Sequence, residues 1–206
     1  MIPVQFITHQ TERYTYLESA RLALEGGCRW IQLRMKNQPL DIVETTARKV
    51  QALCKDYNAI FIIDDYVELT QYLHADGVHL GLKDMPIKQA REQLGEEYLI
   101  GGTANTFDDI LYQQRAGADY IGLGPFRNTT TKQKLSPLLG LEGYTTLMQR
   151  MRNEHITLPV VAIGGITRND IPSLMRTGVQ GIALSGAVLQ ANDPVYEMRC
   201  ILKTTY

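Results

Sequence analysis

Eight short apolar runs, each followed by an amphipathic segment, set the tightest limit on how this 206-residue chain folds. The runs fall at residues 4–8, 30–35, 60–63, 77–80, 99–104, 120–124, 159–163 and 181–185. Between them the apolar residues recur at helical spacing. After Pro39, for example, Val43, Ala47, Val50, Leu53 and Cys54 share one face. Further helices are predicted over 16–24, 67–73, 86–94, 107–115, 141–152, 169–176 and 194–202. Short apolar strands separated by helices are what buried parallel strands require. Eight such units without a linker predict an α/β fold of the (β/α)8 TIM barrel type, with residues 1–206 as a single domain. The alternative, an open doubly wound sheet, usually carries G-x-G-x-x-G after its first strand, and that turn is missing here.

Composition narrows the function classes. Formal net charge is −1, with 21 basic and 22 acidic residues, which gives no support for nucleic-acid or membrane-surface binding. The opening M-I-P-V-Q-F-I-T lacks the basic start and long apolar region of a signal peptide, and no run reaches the length of a membrane span. Cys28, Cys54 and Cys200 have no metal-like spacing and read as reduced core thiols. A cytoplasmic protein is the expectation, with a homo-oligomer allowed.

A barrel of this type places its chemistry where strands run into the following loops. The third and fourth runs both deliver carboxylates there: Asp64 and Asp65 close the third run in I-I-D-D-Y, and Asp84 follows the fourth as the last residue of G-V-H-L-G-L-K-D. Gathered together, they would repel unless a cation sits among them or one is protonated. A hard divalent cation such as magnesium, shared with substrate phosphates, suits this set. The competing reading is that Asp64 or Asp65 caps the next helix.

The second run, W-I-Q-L-R-M-K, puts Gln32, Arg34 and Lys36 on one face by period-two alternation. Inside a barrel mouth two cations need an anion: a diphosphate, or the carboxylates themselves as an internal ion pair. Thr103 offers a hydroxyl or is an ordinary strand residue. The loop G-P-F-R-N-T-T-T-K carries Thr129, Thr130, Thr131 and Lys132 beside Arg127 and Lys134, suitable donors for a phosphate unless it is merely solvated. Gly165 in I-G-G-I, and Ser185 with Gly186 in L-S-G-A, sit after strands seven and eight, where phosphate sites recur in this fold. His9, His74, His79 and His155 read as structural or solvent-exposed, and no Ser-His-Asp or Cys-His arrangement is present.

In order and spacing, these motifs together resemble the thiamine-phosphate synthases over nearly the whole chain. The resemblance implies a (β/α)8 transferase that joins an aminopyrimidine-methyl diphosphate to a thiazole phosphate, uses Mg²⁺ and releases diphosphate. It implies that Gln32, Arg34 and Lys36 bind the pyrimidine diphosphate, and that Asp65 and Asp84 hold the metal. Asp64 stands where that family often has Asn, and Thr103 where Ser is common. Thr129, Thr130 and Thr131 fall in the thiazole-phosphate loop, and Lys132 matches the lysine on the diphosphate. Gly165, Ser185 and Gly186 match a backbone phosphate cradle. Lys132, Arg34 and Lys36 would carry catalysis of a dissociative substitution. The rivals are a thiazole tautomerase-like isomerase, which resembles a synthase with a histidine near the end of strand five, and a non-catalytic phosphate-ligand-binding barrel.

Overall fold

A computed structural model describes residues 2–128 and 137–205. Its strands are β1 (Val4–Ile7), β2 (Trp30–Leu33), β3 (Ile60–Asp64), β4 (Gly77–Leu80), β5 (Leu99–Ala104), β6 (Tyr120–Leu123), β7 (Val160–Ile163) and β8 (Gly181–Leu184). They form a closed parallel barrel in chain order, with β8 returning to β1. The helices are α1 (Tyr16–Glu25), α2 (Leu40–Asp56), α3 (Val67–Leu73), α4 (Ile87–Leu94), α5 (Phe107–Ala116), α6 (Gly140–Asn153), α7 (Ile171–Thr177), α8 (Gly186–Leu189) and α9 (Pro194–Thr204). The predicted barrel is therefore the observed one.

Local chemistry accounts for the helix ends. Thr15 with Glu18, and Thr106 with Asp109, form reciprocal capping boxes that open α1 and α5. Gly117 and Gly178 close α5 and α7 in the left-handed conformation that suits glycine. The outward side chains of the strands, such as Phe6, Ile31, Phe61 and Ile121, are buried under the helices. The inward set is different. Trp30, Ile62, Tyr120, Val161 and Ala183 form an apolar plug across the lower barrel, with the Trp30 and Tyr120 rings edge to face at 4.9 Å.

Most element bounds fall within one residue of the sequence expectations, and the larger departures include those at β2, α7 and α8. β2 ends at Leu33, because the Arg34 amide donates to the Thr8 hydroxyl at 3.1 Å and leaves the ladder. A 3-10 turn, Arg168–Asp170, precedes α7, so the regular helix begins after the predicted 169. The four-residue α8 follows β8 directly and was not expected. Among the described residues no helix is long and apolar enough to cross a membrane.

Candidate active site

Above the apolar plug, a cavity of about 510 Å³ opens at the C-terminal end of the barrel. That volume suits a small-molecule site. Alternation within the strands decides which side chains reach it. Gln32, Asp64, His79, Thr103 and Ser185 all line it, as do Arg34, Lys36, Asp65, Gly165 and Gly186. Sequence-predicted residues from the ends of five strands, β2, β3, β5, β7 and β8, thus converge on one mouth. Thr129, Thr130, Thr131 and Lys132 lie outside the described residues.

The carboxylates and cations meet one another directly. Arg34 Nε lies 3.3 Å from Asp64 Oδ2. Lys36 Nζ lies 3.7 Å from the same oxygen, 4.0 Å from Asp84 Oδ2, and in direct contact with Asp65 Oδ2. One ammonium therefore sits among three carboxylates. Two cations against three anions leave this cluster one negative charge in excess. Asp64 is 6% exposed, so its charge needs these partners.

Neither Asp64 nor Asp65 caps a helix. The cap of α3 is Tyr66 and receives no side-chain bond. Asp65 instead adopts a φ of 76°, a left-handed conformation in which Asp and Asn are enriched. Its Oδ1 is buried with no hydrogen-bond partner among the described residues, while Oδ2 meets Lys36. Asp84 is fixed by its own turn, since the Gly81 amide donates to Oδ2 at 2.7 Å.

Below the charged rim lies a polar floor of which the sequence singles out only Thr103. Gln5 Nε2 donates to the Tyr120 hydroxyl at 3.1 Å. That hydroxyl lies 3.3 Å from His79 Nδ1, and His79 Nε2 lies 3.1 Å from Thr103 Oγ1. Burial raises the Tyr120 pKa, so its phenol stays protonated. Glycine makes the space: a Cβ on Gly101 would stand 2.2 Å from Tyr120 Cζ and 2.6 Å from His79 Nδ1. Period-two alternation placed His79 on one of two faces. The pairing of Asp64 with His79 in the β3–β4 register settles that it faces inward. His9, on the rim, has its pKa lowered by burial and then by the Arg34 charge, which favours a neutral imidazole.

The glycine turns close the other side. Gly164 and Gly165 have φ of 100° and 68°, values natural to glycine and strained for most residues. Ser185 Oγ is buried without a protein hydrogen-bond partner among the described residues and lines the same cavity. Cys28 and Cys54 stay out of the chemistry: burial pushes the Cys28 thiol up to about 11 and the Cys54 thiol to about 12. Among the described residues, no group of three or more His, Cys, Asp or Glu side chains is arranged to hold a metal ion unaided.

Comparison with known proteins agrees with this geometry. The sequence profile described as "Thiamine monophosphate synthase" matches residues 4–188. A thiamine-phosphate synthase of Bacteroides thetaiotaomicron is 63% identical over 202 residues, 98% of this chain and 97% of that protein. One from Flavobacterium psychrophilum is 48% identical over 191 residues, 93% of each. The solved thiamine phosphate pyrophosphorylase of Pyrococcus furiosus superposes with a TM-score of 0.86 at 34% identity, covering 99% of this chain and 95% of that one. The chain belongs to the thiamine monophosphate synthase family.

Proposed function

We propose that the chain condenses 4-amino-2-methyl-5-(diphosphooxymethyl)pyrimidine with thiazole phosphate, forming thiamine phosphate and releasing diphosphate, in the cytoplasm. The observation that carries this reading is the cluster of Arg34 and Lys36 with Asp64, Asp65 and Asp84 at the mouth of a closed barrel. In the proposed step the bond from the pyrimidine methylene to the diphosphate oxygen breaks, and its electron pair leaves with the diphosphate. The thiazole nitrogen then supplies the pair for the new carbon–nitrogen bond. Such a step needs leaving-group neutralisation and alignment of the second reactant, not a protein nucleophile.

Arg34 and Lys36 would stabilise the departing diphosphate, joined by Lys132. Gln32 and Thr103 would hold the pyrimidine over the His79 floor. Gly165, Ser185 and Gly186 would cradle the thiazole phosphate, helped by Thr129, Thr130 and Thr131. The residues fit Mg²⁺: Asp65 presents a buried, unpartnered oxygen, and a lysine ammonium already occupies the space among the carboxylates. Asp65 and Asp84 would hold the ion, with substrate oxygens completing a set that the protein does not complete alone. Bound there, Mg²⁺ would neutralise charge on the leaving diphosphate.

Asp64, which the resemblance places where that family often has Asn, has a measurable consequence. Asp64→Asn removes the excess negative charge while keeping the shape. It is expected to weaken Mg²⁺ binding and tighten metal-free diphosphate binding, each by roughly fivefold, about 1 kcal/mol for one charge in a half-solvated mouth. Calorimetric titration with each ligand checks this, and unchanged affinities would make the extra carboxylate a neutral variation.

A second reading, a thiazole isomerase, draws on one observation: His79, a proton-transfer group, faces the cavity beside Thr103. Omission assays separate the two. The synthase reading expects thiamine phosphate when both substrates are supplied and no change in thiazole phosphate supplied alone. Isomerisation of a thiazole alone, with no condensation, would establish the rival.

A further inference from the structure

Arg127 is a cation on the cavity wall, yet its guanidinium is already engaged. Nη1 and Nη2 donate to Asp170 Oδ2 and Oδ1 at 2.8 and 2.7 Å, a two-pronged ion pair across 43 residues of sequence. Nη1 also donates to the Gly165 carbonyl at 3.2 Å. The stem packs so closely on the turn that a Cβ on Gly165 would stand 2.5 Å from Arg127 Cγ. Asp170 in turn accepts from the Thr167 amide at 2.8 Å and the Thr167 hydroxyl at 2.7 Å. Burial alone would raise its pKa, but the bonds from Arg127 and Thr167 hold it below the usual carboxylate range.

These contacts orient three successive peptide groups. The Ile163 carbonyl accepts from the Phe126 amide at 2.9 Å and the Gly164 carbonyl from the Arg127 amide at 3.0 Å. The Gly165 carbonyl accepts from the Arg127 side chain. In a planar trans peptide the N–H points away from the carbonyl. Pinning these carbonyls to the segment after β6 therefore turns the N–H groups of Gly164, Gly165 and Ile166 away from it, and all three residues line the cavity. The last of these orientations depends on a side chain, so substitution can remove it.

We infer that Arg127, paired with Asp170, is a positioning residue that aims the turn at residues 164–166 toward the phosphate of the thiazole substrate, and is not itself that phosphate's ligand. The inference rests on the proposed assignment of that turn to the thiazole phosphate. The opposite assignment, a basic side chain on the phosphate, is what a sequence reading of the loop suggests.

The two assignments give opposite results for Asp170→Asn. If Arg127 acts through the turn, both Asp170→Asn and Arg127→Met weaken thiazole phosphate binding by about tenfold. The double variant is then no weaker than the worse single, because both break one link. Binding of the pyrimidine diphosphate stays within about twofold in each variant. Arg127→Lys, which keeps the charge but not the fork, lies between wild type and Arg127→Met. Calorimetry with thiazole phosphate and with the pyrimidine diphosphate reads these affinities without turnover, so failure of the condensation assay does not decide this test. Thermal melting confirms that each variant is folded. Tighter or unchanged thiazole phosphate binding in Asp170→Asn, or an equal loss for both substrates, would overturn the inference.

Discussion

Arg34→Ala is expected to lower thiamine phosphate turnover by about 10²–10³-fold, the usual result of deleting a donor aimed at developing negative charge. The expectation rests on where the side chain is held. Asp64 fixes Nε at 3.3 Å, and the Arg34 amide is tied to Thr8, so the guanidinium is placed before substrate arrives. Arg34→Lys should recover part of the loss, since it restores the charge without the planar fork. The fold should survive either change. Arg34 is 23% exposed, and Lys36 remains 3.7 Å from Asp64 to offset its charge. Steady-state rates with a matched circular dichroism spectrum check this. A wild-type rate in Arg34→Ala would remove the residue from the diphosphate site.

Asp65→Asn is expected to raise the Mg²⁺ concentration for half-maximal rate by about 10–100-fold, through loss of one anionic ligand. Asn is the informative replacement because position 65 has a φ of 76°. Alanine there would add left-handed backbone strain of about 1 kcal/mol and confuse folding with metal binding. Asn tolerates the conformation and keeps one oxygen. The substitution also frees Lys36 from its closest carboxylate. A metal titration of the rate, with the melting temperature as control, reads the effect. An unshifted titration would exclude Asp65 from the metal site.

The relation between Lys36 and the carboxylates bears on both results. From sequence, the cations of the second run suited either a diphosphate or an internal ion pair. The structure shows the ion pairs, with Lys36 among Asp64, Asp65 and Asp84. Under the proposed function the two readings describe one site at different stages: the carboxylates pair with the half-buried cations in the free protein, and a bound diphosphate and metal ion would take over those partners. Separated charges of this kind are costly to leave unpaired, which favours such an exchange over an open cluster.

Much of this was legible because the barrel converts periodicity into position. Apolar runs bounded by helices gave all eight strands, and alternation put Gln32, Arg34 and Lys36 on a common side. What alternation cannot give is the pairing register. His79 became inward-facing through its pairing with Asp64, and its partner Tyr120 lies 41 residues away. The Arg127–Asp170 pair was illegible for the same reason, since 43 residues separate two ends brought together by neighbouring strands. The helix α8 escaped because Gly186–Leu189 is too short to display a helical period. The cap reading of Asp64 and Asp65 was chemically sound. It failed because Asp65 enters the left-handed region and turns the chain before α3 begins.

On the proposed function, the carboxylate–cation cluster at the barrel mouth works as a metal-assisted diphosphate site. Its most direct test is the initial rate of thiamine phosphate formation from both substrates, measured in excess chelator and then across added Mg²⁺. The expected result is no product above background in chelator and a saturable return of the rate as free Mg²⁺ rises. Product formed at the same rate with and without chelator would contradict it.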